Sequence, residues 1–173
     1  MKTPKSALIV IDVQNDYFPG GKLPLWKADQ TLERVEAALA AAREKGIPVV
    51  LVQHQSGTNG SFFVPGSEGV EIHPAVLAAA SDAPVVVKAY ADSFHETTLA
   101  ATLEALGAEE LLICGMMTQN CVAHTALSRG ADPYPVTVLV DACTTLDERV
   151  HKFALNALST RVALKTVEEA LAR

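Results

Sequence analysis

The chain has little of several things, and each shortage excludes a class. Its cysteines are three, Cys114, Cys121 and Cys143, too few and odd in number for a disulfide framework. Positive charge is in deficit: 14 Lys and Arg against 20 Asp and Glu leave a net charge of −6. A general nucleic-acid binder or an anionic-membrane binder needs a basic face, so neither partner is expected. No apolar run approaches the roughly 18 residues that a membrane helix requires. The N-terminus, Met-Lys-Thr-Pro-Lys-Ser, leads straight into a strand-like run with no hydrophobic leader and small-residue cleavage site. A cytoplasmic protein is the expectation. Internal repeats, low-complexity segments and linker-like stretches are also missing. What remains is 173 residues, 49% of them hydrophobic. That suits one domain, residues 1–173, at about 150 residues per domain.

The hydrophobic residues come in alternating patterns. Ala7 to Val13 is a nearly continuous apolar run carrying an acid, Asp12. Similar runs follow at 48–52, 84–87, 111–114 and 136–140, with a weaker sixth near Val162. Continuous runs suit strands buried on both faces of a parallel sheet. Between them lie helical patterns. Leu32, Val35, Leu39 and Ala42 share one face, with Asp29 as the N-cap and Gly46 past the end. Ser93–Glu96 and Thr145–Glu148 match capping boxes, residues 118–129 read as a helix closed by Gly130, and 167–172 as a last helix. Alternation predicts a three-layer α/β/α, doubly wound, mainly parallel six-stranded sheet in the Rossmann-like order 3-2-1-4-5-6. Such sheets bind ligands beyond the carboxyl ends of their strands. The polar residues there are Asp12, Gln53 and His54, Lys88, and the segment 115–121.

Three of these form a chemical set. A thiol is mostly protonated at neutral pH, its free pKa being about 8.5. It becomes a nucleophile when a base takes its proton or a cation stabilises the thiolate. Asp12 supplies a base, Lys88 a cation and Cys121 the thiol. Cys121 is placed in the first turn of the 118–129 helix, where free N–H groups and the dipole favour negative charge and a depressed thiol pKa. Each residue also has a plainer reading. An acid at a strand end caps loops, a lone lysine is usually a solvated head on an apolar stem, and a lone cysteine is usually inert core. Core is the reading for Cys114 and Cys143.

Three segments carry a resemblance that tips this balance. They are Leu8-Ile-Val-Ile-Asp-Val-Gln-Asn-Asp-Tyr-Phe-Pro-Gly-Gly21, Lys88-Ala-Tyr-Ala-Asp-Ser-Phe94 and Cys114-Gly-Met-Met-Thr-Gln-Asn-Cys-Val122. Together, in this order and spread over nearly the whole chain, they resemble the signatures of the isochorismatase-like cysteine hydrolase superfamily. The resemblance implies a catalytic triad of Asp12, Lys88 and Cys121. It also implies a non-proline cis peptide before Met117 and an oxyanion hole from the N–H groups of Met117 and Cys121. The implied activity is cleavage of a C–N bond in a small amide, ureido or carbamoyl compound through a Cys121 thioester. Members commonly oligomerise, so a homo-oligomer with a small-molecule substrate is implied.

Isochorismatases proper lack the nucleophilic cysteine, so Cys121 argues against vinyl-ether cleavage. Nicotinamidases carry a zinc or iron site with Asp-x-His after strand two. Here the stretch is Val52-Gln53-His54, and His54 with His73 makes a poor ligand set without a carboxylate. No metal or other cofactor is expected, and His54 is read as pocket-lining. A metal-assisted, nicotinamidase-like amidase is the alternative within the family. Phe62 and Phe63, in the Gly- and Ser-rich stretch 55–69, are candidate substrate contacts, with Phe18, Trp26, Tyr90 and Phe94. That stretch reads equally as a lid or an oligomer interface. Two rivals lie outside the family's chemistry: a redox or thiol-binding protein using Cys121, and a non-catalytic binding module. The lack of a Cys-x-x-Cys pair weakens the first, and the intact triad speaks against the second.

Overall fold

Every apolar run forms a strand in the computed structural model, which describes residues 5–172. The opening Met1–Pro4 stretch, read above for a targeting segment, and Arg173 lie outside the described residues. The strands are β1 (Ser6–Ile11), β2 (Val49–His54), β3 (Val85–Lys88), β4 (Glu110–Met116), β5 (Val136–Thr144) and β6 (Ala163–Lys165). They make one sheet in the order 3-2-1-4-5-6, with every neighbouring pair parallel. This is the predicted topology, and wholly rather than mainly parallel. The helices are α1 (Ala28–Lys45), α2 (Pro74–Ala79), α3 (Leu99–Leu106), α4 (Ala123–Ala126), α5 (Glu148–Leu158) and α6 (Val167–Leu171). Helix α1 packs with α2, α6 and β5, α6 also packs on β5, and α4 packs with α5. None of the described helices is long and apolar enough to cross a membrane.

The centre of the sheet explains where the site lies. Ala7 to Ile11 of β1 are buried on both faces, paired with β2 on one side and β4 on the other. Ile11 pairs with Val52 and Gly115, so the residues just beyond all three strands meet at one end of the sheet. The order reverses here, between β1 and β4, where such sheets bind ligands.

Several local expectations are corrected. Strand β3 is an outer strand: Val86 and Lys88 are buried, whereas Val85 and Val87 are 46% and 49% exposed. Its unbroken run of valines therefore overstated its burial. The helix expected over 118–129 is instead a π turn at Thr118–Val122, one short helix α4 and a 3-10 turn at Arg129–Ala131. Neither proposed capping box forms. Ser93 is fully buried and bonded to Thr125, and α3 starts only at Leu99. Asp147, not Thr145, caps α5, accepting from the N–H groups of Arg149 and Val150. The capping box present is Thr166 with Glu169 on α6. Asp29 lies inside the first turn of α1 rather than at its cap, while Gly46 ends that helix in the left-handed conformation as read. Helix α2 was missed, although Pro74 at its first position behind His73 is a start signal.

Gly115 is the backbone position on which the site end depends. Its φ of +122° falls where side chains are strained, and a Cβ there would overlap the Ile11 carbonyl. The β4–β5 register shifts at this point. Gly115→Ala is expected to cost about 3 kcal/mol, through overlap plus backbone strain. Urea unfolding followed by Trp26 fluorescence checks this, and an unchanged midpoint would refute it.

Candidate active site

Asp12 follows β1 with φ +51°, a left-handed conformation that Asp tolerates better than most residues. Its N–H still bonds Val52 of β2, at 3.0 Å, so the chain stays in the sheet while turning sharply. Lys88 is the last residue of β3, opposite His54 at the end of β2. Cys121 sits in the π turn that follows β4. The three converge. The Lys88 ammonium lies 2.8 Å from an Asp12 carboxylate oxygen and 3.2 Å from Cys121 Sγ. Their exposures are 0% for Asp12, 2% for Lys88 and 3% for Cys121, so the cluster is shut off from water.

Burial sets the electrostatics. Among the described residues no hydroxyl, amide or backbone N–H donates to either Asp12 oxygen. The ammonium is thus the carboxylate's compensating charge. Burial alone would lower the Lys88 pKa, but Asp12 and then Cys121 outweigh it and hold Lys88 protonated. Cys121 moves opposite to expectation. Burial, then the Asp12 charge, push its thiol well above the ordinary value, and Lys88 only partly opposes them. The resting group is a neutral thiol beside a carboxylate. The expected depression counted the cation and the helix end but not desolvation. Cys114 and Cys143 are fully buried in the sheet, and burial also raises them, Cys143 to about 12, consistent with inert core.

The ammonium has four neighbours for its three hydrogens. Besides Asp12 and Cys121 these are His54 Nδ1 at 2.9 Å and the Tyr90 carbonyl at 3.0 Å. The Cys121 contact is the longest of the four. Asp12, His54 and Cys121 each offer a donor atom within 4.8 Å of the others, which has the form of a metal cluster. The same three atoms, however, surround Lys88 Nζ, a cation already in place. The ligand set of the nicotinamidase type fits no better. Gln53 bonds the Val70 carbonyl, and His73 Nδ1 accepts the Ala75 N–H at the start of α2, with its ring against Phe18. These residues do not fit a metal.

The candidate pocket residues divide. His54 touches the cluster directly. Tyr90 reaches it only through its carbonyl, its exposed ring lying on His95. Phe63 is fully buried, 5.9 Å from the His54 ring between centroids, and packs with Phe62 and Tyr17. Phe18 is buried against His73, Phe94 lies on Gly130, and Trp26 stacks near His151. None of these last three shows a ring contact to the triad.

Sequence reading missed Tyr17. Burial first, then Asp12 and Cys121, push its phenol far above its ordinary pKa, so it stays a neutral donor beside the cluster. Its place five residues after Asp12, inside the first quoted segment, was the available signal. Asp16 serves the loop: its carboxylate accepts the N–H groups of Lys22 and Phe63, tying stretch 55–69 to the turn after β1. Gln14 exchanges two 2.8 Å hydrogen bonds with the His54 backbone. Behind Cys121, Thr118 meets His151 and Thr145 donates to Gln119, bracing the π turn against α5 and the end of β5. The Met116–Met117 peptide leading into this turn is cis.

Comparison with known proteins gives the chain's family and matches its fold. A family profile described as "Isochorismatase domain" matches residues 6–168. YddQ, an isochorismatase family protein of Bacillus subtilis strain 168, is 40% identical over 141 residues, covering 81% of this chain and 78% of its own. A streptothricin hydrolase of Streptomyces noursei is 36% identical over 141 residues, 82% of this chain, which spans 50% of that relative. Among solved structures, an Oleispira antarctica protein assigned to the isochorismatase hydrolases superposes with a TM-score of 0.90 at 36% identity, over 100% of both chains.

The buried ion pair generates a stability prediction. Lys88→Met leaves the Asp12 charge uncompensated and is expected to cost about 3–5 kcal/mol. The double variant Asp12→Asn/Lys88→Met should recover most of that loss. Urea unfolding of the two variants and the parent checks it, and equal losses in single and double variants would refute it.

Proposed function

We propose that this chain, which belongs to the isochorismatase family, is a cysteine hydrolase that cleaves a C–N bond of a small amide, ureido or carbamoyl compound. The observation that carries the reading is a single ammonium, Lys88, in contact with both a buried carboxylate and a buried thiol. Asp12 takes the Cys121 proton as sulfur attacks the carbonyl carbon. The carbonyl electron pair moves to oxygen, where the N–H groups of Met117 and Cys121 receive it. As the tetrahedral intermediate collapses, the C–N bond breaks and Asp12 returns its proton to the departing nitrogen. Water then attacks the thioester, giving a proton to Asp12. The acid departs, and the proton passes back to sulfur.

The resting charges support this order. A thiol held neutral and a carboxylate beside it make proton transfer part of the reaction rather than a prior equilibrium. Negative charge appears on sulfur only when transfer begins. The Lys88 contact, the longest of its four at rest, gains strength at that moment. An interaction that strengthens towards the transition state speeds the step. A carboxylic acid next to the leaving nitrogen favours C–N cleavage, because an amine departs poorly unless protonated. The aromatic group of Tyr17, Phe62 and Phe63 suits a small substrate. A homo-oligomer belongs to the same reading, supported by the exposed apolar side chains of Val85 and Val87 on β3 and Phe153 on α5.

A panel of small amides, ureides and carbamoyl compounds, read by ammonia or amine release, tests the reading. At least one class should turn over, and Cys121→Ala should lower its kcat by about a thousandfold or more while leaving the unfolding midpoint within about 1 kcal/mol. Turnover that survives Cys121→Ala would overturn the mechanism.

A further inference from the structure

We infer that His54 is a positioning residue for the proposed triad: as a neutral acceptor it holds the Lys88 ammonium in line with Asp12 and Cys121. The inference rests on the reading of Lys88 and Cys121 given above and adds a residue to it.

The geometry leaves His54 one state. An ammonium can only donate, so Nδ1, 2.9 Å from Lys88 Nζ, must carry a lone pair, and the ring proton is on Nε2. Protonating the ring would remove that acceptor and set a second cation against the first. Burial lowers the His54 pKa below the ordinary value of about 6.5, Lys88 lowers it further, and Asp12 partly opposes them. Those are the charged groups acting on the ring. The neighbouring Cys121 is a neutral thiol, and Phe63 covers the ring on the loop side. His54 is therefore neutral at pH 7.

The ring is also held in place. Parallel pairing of β2 with β3 sets His54 opposite Lys88. Gln14 fixes the His54 backbone from both sides, and Gln14 is itself anchored to the Val70 carbonyl. Such fixing matters because a lysine side chain is long and flexible. Asp12 and the Tyr90 carbonyl alone leave the ammonium free to pivot about them. A third firm acceptor fixes the ammonium in place, so that its charge stays 3.2 Å from sulfur. His54 thereby acts on Cys121 through Lys88.

Alkylation of Cys121 by iodoacetamide, located by peptide mass spectrometry, tests this without any substrate. The rate reads how readily the thiol yields a thiolate beside Lys88. His54→Leu removes the acceptor, and Cys121 should then react about tenfold more slowly at pH 7.5. His54→Asn places an amide oxygen near the Nδ1 position and should stay within about threefold of the parent. The pH profile separates positioning from mere packing. As His54 becomes charged at acidic pH, the log rate of the parent should fall more steeply than that of His54→Asn. Equal rates in the parent and His54→Leu, or identical profiles in the parent and His54→Asn, would overturn the role of His54. Neither outcome touches the Cys121→Ala turnover test, so failure here is distinguishable from failure of the hydrolase reading.

Discussion

A buried ammonium with a carboxylate on one side and a thiol on the other is the constraint around which this structure is arranged. Removing two charges from water costs several kcal/mol each unless they are held close and bonded. The sheet meets that demand with position. Asp12 and Lys88 come from strands that are not neighbours, with β2 between them. The sharp left-handed turn at Asp12 and the reach of the lysine chain close the gap to 2.8 Å. The surrounding polar contacts then follow a pattern. Those of Gln14 and His54 steady the ammonium side, those of Thr118, Gln119 and Thr145 steady the thiol side, and Asp16 ties the 55–69 loop to the turn after β1.

The fold was legible because its signal is hydrophobic and local. A run such as Ala7–Ile11 has no polar side, so it belongs inside a parallel sheet, and alternation with helices then restricts the topology to few solutions. What failed was local. The valines of β3 look alike in sequence although alternate ones face solvent, because burial of an outer strand depends on what lies beside it. Ser93 and Thr145 have the right partners three residues on for capping, yet both hydroxyls are drawn into tertiary hydrogen bonds. The helix expected from Thr118 takes a π turn instead, braced by contacts from α5 and β5 that no local pattern announces.

The site was legible at its centre and less so around it. Asp12, Lys88 and Cys121 are chemically distinctive residues at strand ends, and three quoted segments placed them together. The thiol's electrostatics were not legible, since desolvation depends on how much of the chain closes over it. Tyr17 was passed over for its neighbour Phe18, although the phenol stands by the triad and the phenyl ring does not. His54 was seen as a pocket wall; its bond to Lys88 depends on register between β2 and β3, which pattern reading does not supply.

The proposed chemistry turns on a covalent bond between Cys121 and the acyl part of the substrate. Rapid acid quench during turnover of whichever amide the protein accepts, followed by peptide mapping, looks for that bond directly. The account predicts a mass increase equal to the acyl group on the peptide bearing Cys121, labile to hydroxylamine and lost as substrate is exhausted. An unmodified Cys121 throughout a quenched burst of product, or a cysteine changed only by oxidation, would contradict it.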